Sequence, residues 1–221
     1  MPAAVVFDLD GVLVDSEERW NEAREALTRE SGGTWTERAT RDMMGMSAPE
    51  WSVYLRDELG VPLSEQEIND EVVARLKASL RDDLPLLPGA VQAVRALADR
   101  WPLGLASSAN GPVIALVLER AGLATCFRAT VSSEEVARGK PAPDVYLEAA
   151  RRLGVEADEC VAVEDSTNGL RSAHAAGMAV IAVPNPAFPP EPDAVDLAAE
   201  VVDSVSDVTP ELVERAGAGR P

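Results

Sequence analysis

The 221-residue chain carries 20 Lys plus Arg against 38 Asp plus Glu, a formal net charge of −18, with 46% hydrophobic and 26% charged residues. This is a globular composition, and the length suits one ordinary domain or a core with a smaller insert. No apolar run approaches the roughly 20 residues of a membrane span, and no basic n-region or cleavage site opens the chain. The expectation is a soluble, cytoplasmic protein with no membrane partner. Its acid excess argues against nucleic acid, whose phosphates need Lys and Arg, and disfavours acidic ligands in general. Nothing in the chain calls for an obligate oligomer, so a monomer is expected.

The acid is concentrated: residues 172–214 hold eight carboxylates and no Lys or Arg. Only Lys77 and Lys140 are lysines, which makes each worth following. Cys126 and Cys160 have no CxxC spacing, so they read as buried thiols rather than a zinc or redox pair.

Ala3–Phe7 is a continuous apolar run, the pattern of a strand buried on both faces, and it ends at Asp8. Between about Ser16 and Leu87 no convincing strand occurs. Glu17–Glu30 and Pro49–Leu59 read as helices, and Ser64 with Glu67 forms a capping box ahead of Ile68, Val72, Leu76 and Leu80. Trp20, Trp35 and Trp51 lie in this segment and read as its core rather than a substrate cage.

From Pro88 the signals alternate. Helices are expected over Pro88–Arg100, Asn110–Leu123 (Asn110 as N-cap, Pro112 in the first turn), Pro143–Leu153 and Thr167–Ala176, the last closed by Gly177. Strands are expected over Pro102–Ala106, Phe127–Val131, Cys160–Val163 and Met178–Val183. A Pro-rich loop follows, and Ala216–Pro221 reads as a frayed tail. The alternation predicts an α/β fold: a Rossmann-like open parallel sheet with helices on both faces, interrupted by a helical insertion. The division is a core of residues 1–15 and 88–221, with residues 16–87 as the insert.

In such sheets ligands bind outside the carboxyl ends of the strands. The polar residues there are Asp8 and Asp10, Ser107 and Ser108, and Glu164 and Asp165, with Lys140 in the loop Gly139-Lys140-Pro141. Phosphoryl transfer uses these parts. One carboxylate can be the nucleophile, a second can move the proton, carboxylate oxygens suit Mg²⁺, and a hydroxyl with an ammonium can hold the phosphoryl oxygens.

FDLDGVLVDS (Phe7–Ser16), LASS (Leu105–Ser108), GKPAPDVY (Gly139–Tyr146) and VEDSTNGLRSAHAAGM (Val163–Met178) resemble, in order and spacing, the four motifs of the haloacid-dehalogenase superfamily. The insertion resembles the helical cap of the subgroup that contains β-phosphoglucomutase and small-molecule phosphatases. The resemblance implies that Asp8 is the phosphorylated nucleophile and an Mg²⁺ ligand. Asp10 would be the acid and then base, with its backbone carbonyl on the metal. Ser107 and Ser108 would lie at the phosphoryl group, with Lys140 paired to it and to Asp8. Asp165 would be a metal ligand, and Glu164 would join the metal site through water.

A calcium loop starting at Asp8 would need Gly at position 13, where Leu13 stands. His174 has no G-x-S-x-G partner for a triad, and its place near a helix C-terminus accounts for it. A phospho-accepting receiver domain lacks a cap and the acid at Asp10. Mutases of the resembling subgroup carry His where Trp20 stands and Arg where Ala48 stands, after Met44-Gly45-Met46-Ser47, which favours hydrolysis. In the insert, Arg75 and Lys77 are candidates for substrate contact or for a solvated helix face. The reading is an Mg²⁺-dependent phosphatase of a small phosphorylated metabolite, a sugar phosphate foremost.

Overall fold

The computed structural model describes residues 1–43 and 46–219. Met44 and Gly45 of the segment aligned with the mutases, and Arg220 and Pro221 of the expected tail, lie outside the described residues. In chain order the elements are β1 (Ala4–Phe7), α1 (Glu17–Glu30), α2 (Ala39–Asp42), α3 (Ala48–Asp57), α4 (Glu65–Asp82), α5 (Ala90–Ala98), β2 (Leu103–Ser107) and α6 (Gly111–Arg120). There follow β3 (Phe127–Ser132), α7 (Asp144–Leu153), β4 (Cys160–Glu164), α8 (Thr167–Ala175), β5 (Ala179–Ala182), α9 (Pro192–Val195), β6 (Glu200–Val201) and α10 (Pro210–Ala218).

The strands form one parallel sheet in the order β3-β2-β1-β4-β5-β6. The central strands β1, β2 and β4 are buried on both faces because alternate residues feed two apolar layers, whereas the edge strands β3 and β6 leave residues exposed. Val5 and Phe7 join the layer of α5, α6 and α10, while Ala4 and Val6 join that of α7 and α8. The connections leave β1 toward β2 on one side and return to β4 on the other. The crevice between β1 and β4 is therefore the topological switch point. Phe7 pairs with Leu105 on one side and Val163 on the other, so Asp8, Ser107 and Glu164 all emerge at one edge.

Helix α4 packs on both α1 and α3, and Trp20 of α1 and Trp51 of α3 face the cavity that Asp8 lines at that edge. The starts of α3 and α4 are locally encoded: Ser47 with Glu50 and Ser64 with Glu67 form capping boxes. Ile68, Val72, Leu76 and Leu80 are all fully buried along one stripe of α4. Asn110 has N-cap backbone geometry but makes no cap bond; its side-chain amide donates to Asn69 of α4 at 3.0 Å and to Glu134 at 2.6 Å.

Where a frayed tail is expected from Ala216 onward, the chain is helical to Ala218. Residues Ala216–Ala218 belong to α10, which is capped by Thr209, whose Oγ1 accepts from Leu212 N at 3.3 Å, with Pro210 in the first turn. Leu212, Val213 and Ala216 are buried, and a Cβ on Gly217 would meet Pro2 Cγ at 2.5 Å. A capped amphipathic helix docked on the N-terminus does not fray. Among the described residues no helix is long and apolar enough to cross a membrane, and no disulfide joins Cys126 to Cys160.

Candidate active site

Asp8 follows the last residue of β1, its amide still bonded to Val163 O at 3.0 Å. Its carboxylate is buried and accepts from Lys140 Nζ at 2.7 Å. Lys140 Nζ also donates to Glu164 Oε1 at 2.6 Å, and Tyr146 OH donates to the same oxygen at 2.7 Å. The other Glu164 oxygen accepts from Asp165 N, Ser166 N and Ser166 Oγ at 3.1–3.3 Å. Both oxygens of Glu164 are thus engaged by the protein. Taking two carboxylates and an ammonium out of water costs several kcal/mol per ion, so this network is better read as a positioning device than as a source of stability.

Two glycines make the convergence possible. Gly11 takes a positive φ of 76° in the turn after Asp10, and a Cβ there would lie 1.9 Å from Asp165 Oδ2. A Cβ on Gly169 in α8 would lie 1.9 Å from the Glu164 carboxylate. Each glycine leaves the room that an acid occupies.

Asp8, Glu164 and Asp165 each bring a carboxylate oxygen within 4.8 Å of the others. Burial, followed by the neighbouring acids Glu164 and Asp10, outweighs Lys140 and pushes Asp8 up to about 8. Burial, with Glu164 and Asp8, pushes Asp165 well above the carboxylate range. Burial alone would lower the Lys140 ammonium, but Asp8 and Glu164 raise it above its ordinary value. The cluster brings together three acids against one lysine, and without a cation it favours protonation of Asp8 and Asp165. An all-oxygen donor set of this kind fits a hard divalent cation such as Mg²⁺.

Asp10 stands apart from this acid cluster. Its Oδ1 accepts from Ser16 Oγ and from Trp20 Nε1, the latter at 3.1 Å, and its Oδ2 lies 3.4 Å from Ser107 Oγ. Asp8 and Asp10 line one cavity of about 750 Å³, which lies within the range of small-ligand sites. Of the two serines read from the sequence, Ser108 lines this cavity, while Ser107 is fully buried beside Asp10. Asp165 and Lys140 line it as well.

The far wall comes from α1 to α3. Trp20 and Trp51 pack as core, as expected, with ring centroids 6.1 Å apart, yet both also face the cavity. Arg24 lies over both rings, at 4.9 and 5.3 Å. Burial lowers Arg24 and raises Glu17, each restrained by the other's charge. Ala48 is buried and apolar, so it offers no grip on a phosphate. Arg75 pairs with Glu30 at 2.8 Å, and neither it nor Lys77 lines the cavity. Arg24, Arg41, Thr167, Asn168 and Arg171 do; sequence reading passed over them. For Arg24 a signal existed: a cation on the stripe Trp20, Ala23, Leu27 that α1 buries.

The family model for haloacid dehalogenase-like hydrolases matches residues 2–177. The chain belongs to the haloacid dehalogenase-like hydrolases. Among curated relatives of this hydrolase, hexitol phosphatase B of Escherichia coli K12 is 36% identical over 212 residues, 93% of this chain and 94% of that one. The bifunctional riboflavin kinase/FMN phosphatase of Arabidopsis thaliana is 31% identical over 94% of this chain, which spans only 55% of that protein. Among solved structures, CbbY of Rhodobacter sphaeroides in complex with phosphate superposes with a TM-score of 0.86 at 28% identity, covering 97% of this chain and all of that one. A β-phosphoglucomutase from Clostridium difficile shares the fold at a TM-score of 0.85 and 21% identity, over 99% and 98% of the two chains. The chain is thus a phosphatase-type hydrolase of this family with a β-phosphoglucomutase-like fold.

Proposed function

We propose that the chain hydrolyses the monoester of a small phosphorylated metabolite, a sugar or sugar-alcohol phosphate, through a phosphoaspartate on Asp8. The observation that carries this reading is the pairing of a buried, lysine-held Asp8 with a separately held Asp10 on one cavity. Lys140 orients the Asp8 carboxylate for attack on phosphorus. As the ester P–O bond breaks, protonated Asp10 gives its proton to the departing oxygen. Asp10, now ionised, takes a proton from water as that water attacks the acyl phosphate. Inorganic phosphate leaves and Asp8 returns as a carboxylate.

Asp8, Asp165 and the Asp10 backbone carbonyl would hold Mg²⁺, with Glu164 beside them. The bound ion would supply positive charge to the phosphoryl oxygens. The need for it is local: among the described residues seven acids and four cations line the cavity, a poor match for a phosphate dianion on its own. Lys140 and the Ser108 region would take the remaining phosphoryl contacts, and Ser107 would brace Asp10.

Residues 16–87 would act as a cap over the sheet edge formed by 1–15 and 88–221, closing to exclude water. Trp20, Arg24 and Trp51 on the wall opposite Asp8 support that role. A mutase must also grip a second phosphate, and a buried Ala48 with Trp20 in place of His weighs against it. The test is phosphate release from a panel of phosphorylated metabolites, with Asp8→Asn as control. Turnover of sugar or alditol phosphates that Asp8→Asn abolishes is expected. Conversion of glucose 1-phosphate to glucose 6-phosphate without free phosphate would favour the mutase.

A further inference from the structure

Arg24 is 5% exposed, yet none of its guanidinium nitrogens donates to a described protein atom, and Nε and Nη1 are wholly buried without a partner. A buried cation ordinarily has a hydrogen-bonded counter-charge, because desolvation is otherwise uncompensated. Neither Glu17 nor Asp10 comes within the 4.0 Å of an ion pair, although both act on Arg24 through space. The guanidinium carbon lies over the Trp20 and Trp51 rings, a cation–π contact that offers its N–H groups no hydrogen-bond acceptor atom.

Glu17, two turns earlier on the same face of α1, lines the same cavity, and its Oε1 is also buried and unpartnered. A buried donor and a buried acceptor without hydrogen-bond partners therefore lie two turns apart on one face of α1, across the cavity from Asp8 and Asp10, with Asn21 as the other polar neighbour of Glu17. Their charges cancel. A second phosphate or a carboxylate would meet Arg24 but be repelled by Glu17. A polyol can satisfy both, since one of its hydroxyls can accept from a guanidinium while another donates to a carboxylate.

We propose that Arg24, with Glu17, is the specificity-determining pair. It hydrogen-bonds hydroxyls of a neutral polyol leaving group and selects polyol monophosphates over bisphosphates and hydroxyl-free esters. This rests on the phosphatase reading above, and it adds which residues read the leaving group and what chemistry they read.

The experiment compares kcat/KM of the Mg²⁺-loaded wild type and Arg24→Met on a hexitol 6-phosphate, p-nitrophenyl phosphate and a hexose bisphosphate. Arg24→Met is expected to lose about 10- to 100-fold on the hexitol phosphate, the range for a hydrogen bond to a charged group. The loss should appear mainly in KM, with less than about threefold change on the aryl ester. Arg24→Gln carries the same comparison if the Met variant does not fold. Equal losses on both esters, or none on either, would overturn the assignment. So would a wild-type preference for the bisphosphate that disappears in Arg24→Met, since Arg24 would then be reading a second phosphate. Wild type active on the aryl ester but on no polyol phosphate overturns this inference and leaves the phosphatase reading standing; no phosphate release from any ester overturns both.

Discussion

The two walls of the cavity are built on opposite plans. On the sheet side, Asp8, Lys140, Glu164 and Tyr146 are buried and linked by hydrogen bonds of 2.6–2.7 Å, with backbone amides completing Glu164. On the helical side, Arg24 and Glu17 are largely buried but keep donors and an acceptor unpartnered. A wall whose hydrogen bonds are made within the protein is preorganised for one unchanging task, on the proposed reading the holding of a phosphoryl group. A wall with groups left over is completed by what enters the cavity. On the proposed reading, the strand ends carry the reacting groups and the helices read the leaving group, with Trp20 reaching across to Asp10.

Substitutions on the sheet side should be the most damaging. Asp10→Asn is expected to reduce steady-state phosphate release by roughly 10²- to 10⁴-fold, the usual worth of a general acid–base group, measured with an aryl ester. A change of less than threefold would move the proton-transfer role elsewhere. Lys140→Met should come next, because it leaves Asp8 and Glu164 buried without their shared cation. A loss of about 3–5 kcal/mol is expected in metal-free denaturant unfolding near neutral pH, with activity lost as well. Unchanged stability would show that the ammonium is not what holds the two acids.

Smaller, and opposite in sign to habit, is the pH dependence without metal. Asp8 is pushed up to about 8 in the folded chain and titrates near 4 unfolded, so the folded state binds the extra proton between those values. Its contribution is full below about pH 4 and disappears as pH rises through about 8. The metal-free melting temperature should therefore fall from pH 5.5 to 8.5. Mg²⁺, which favours the ionised carboxylates, should raise it more at pH 8.5 than at pH 5.5. Equal stabilisation at both values would separate Asp8 from the metal. The smallest effect should come from Trp20→Phe, which keeps the ring and removes the N–H bonded to Asp10 at 3.1 Å. A rate loss of about tenfold is expected, as for a hydrogen bond to a charged group. No loss would mean that the helical wall plays no part in the chemistry.

The same contrast explains what the sequence disclosed. The sheet wall is written in local motifs: an apolar β-branched run that stops at Asp8, another that stops at Glu164, and a rare lysine in a Gly-Pro loop. Strand direction and parallel pairing bring such ends together with no further information. The helical wall depends on the angle at which α1, α3 and α4 pack, which no local signal encodes; Arg41 has no mark in the sequence, and Arg24 only its place on the buried stripe of α1. Ser107 and Ser108 were legible as a pair but not as individuals, since one residue of register decides which faces the cavity. The two-residue β6 is too short to show alternation. For α10, a Thr-Pro-Glu start was readable, and the Gly-rich end that followed obscured it.

The claim that Asp8 is the nucleophile of this wall is tested most directly by trapping. Asp10→Asn with Mg²⁺ and p-nitrophenyl phosphate needs no acid for so good a leaving group, but lacks the base for the second step. Mass spectrometry of the peptide holding Asp8 should show one added phosphoryl group, with a burst of nitrophenol stoichiometric with enzyme. Sustained phosphate release with Asp8 unmodified, or a phosphoryl group on another residue, would contradict the account.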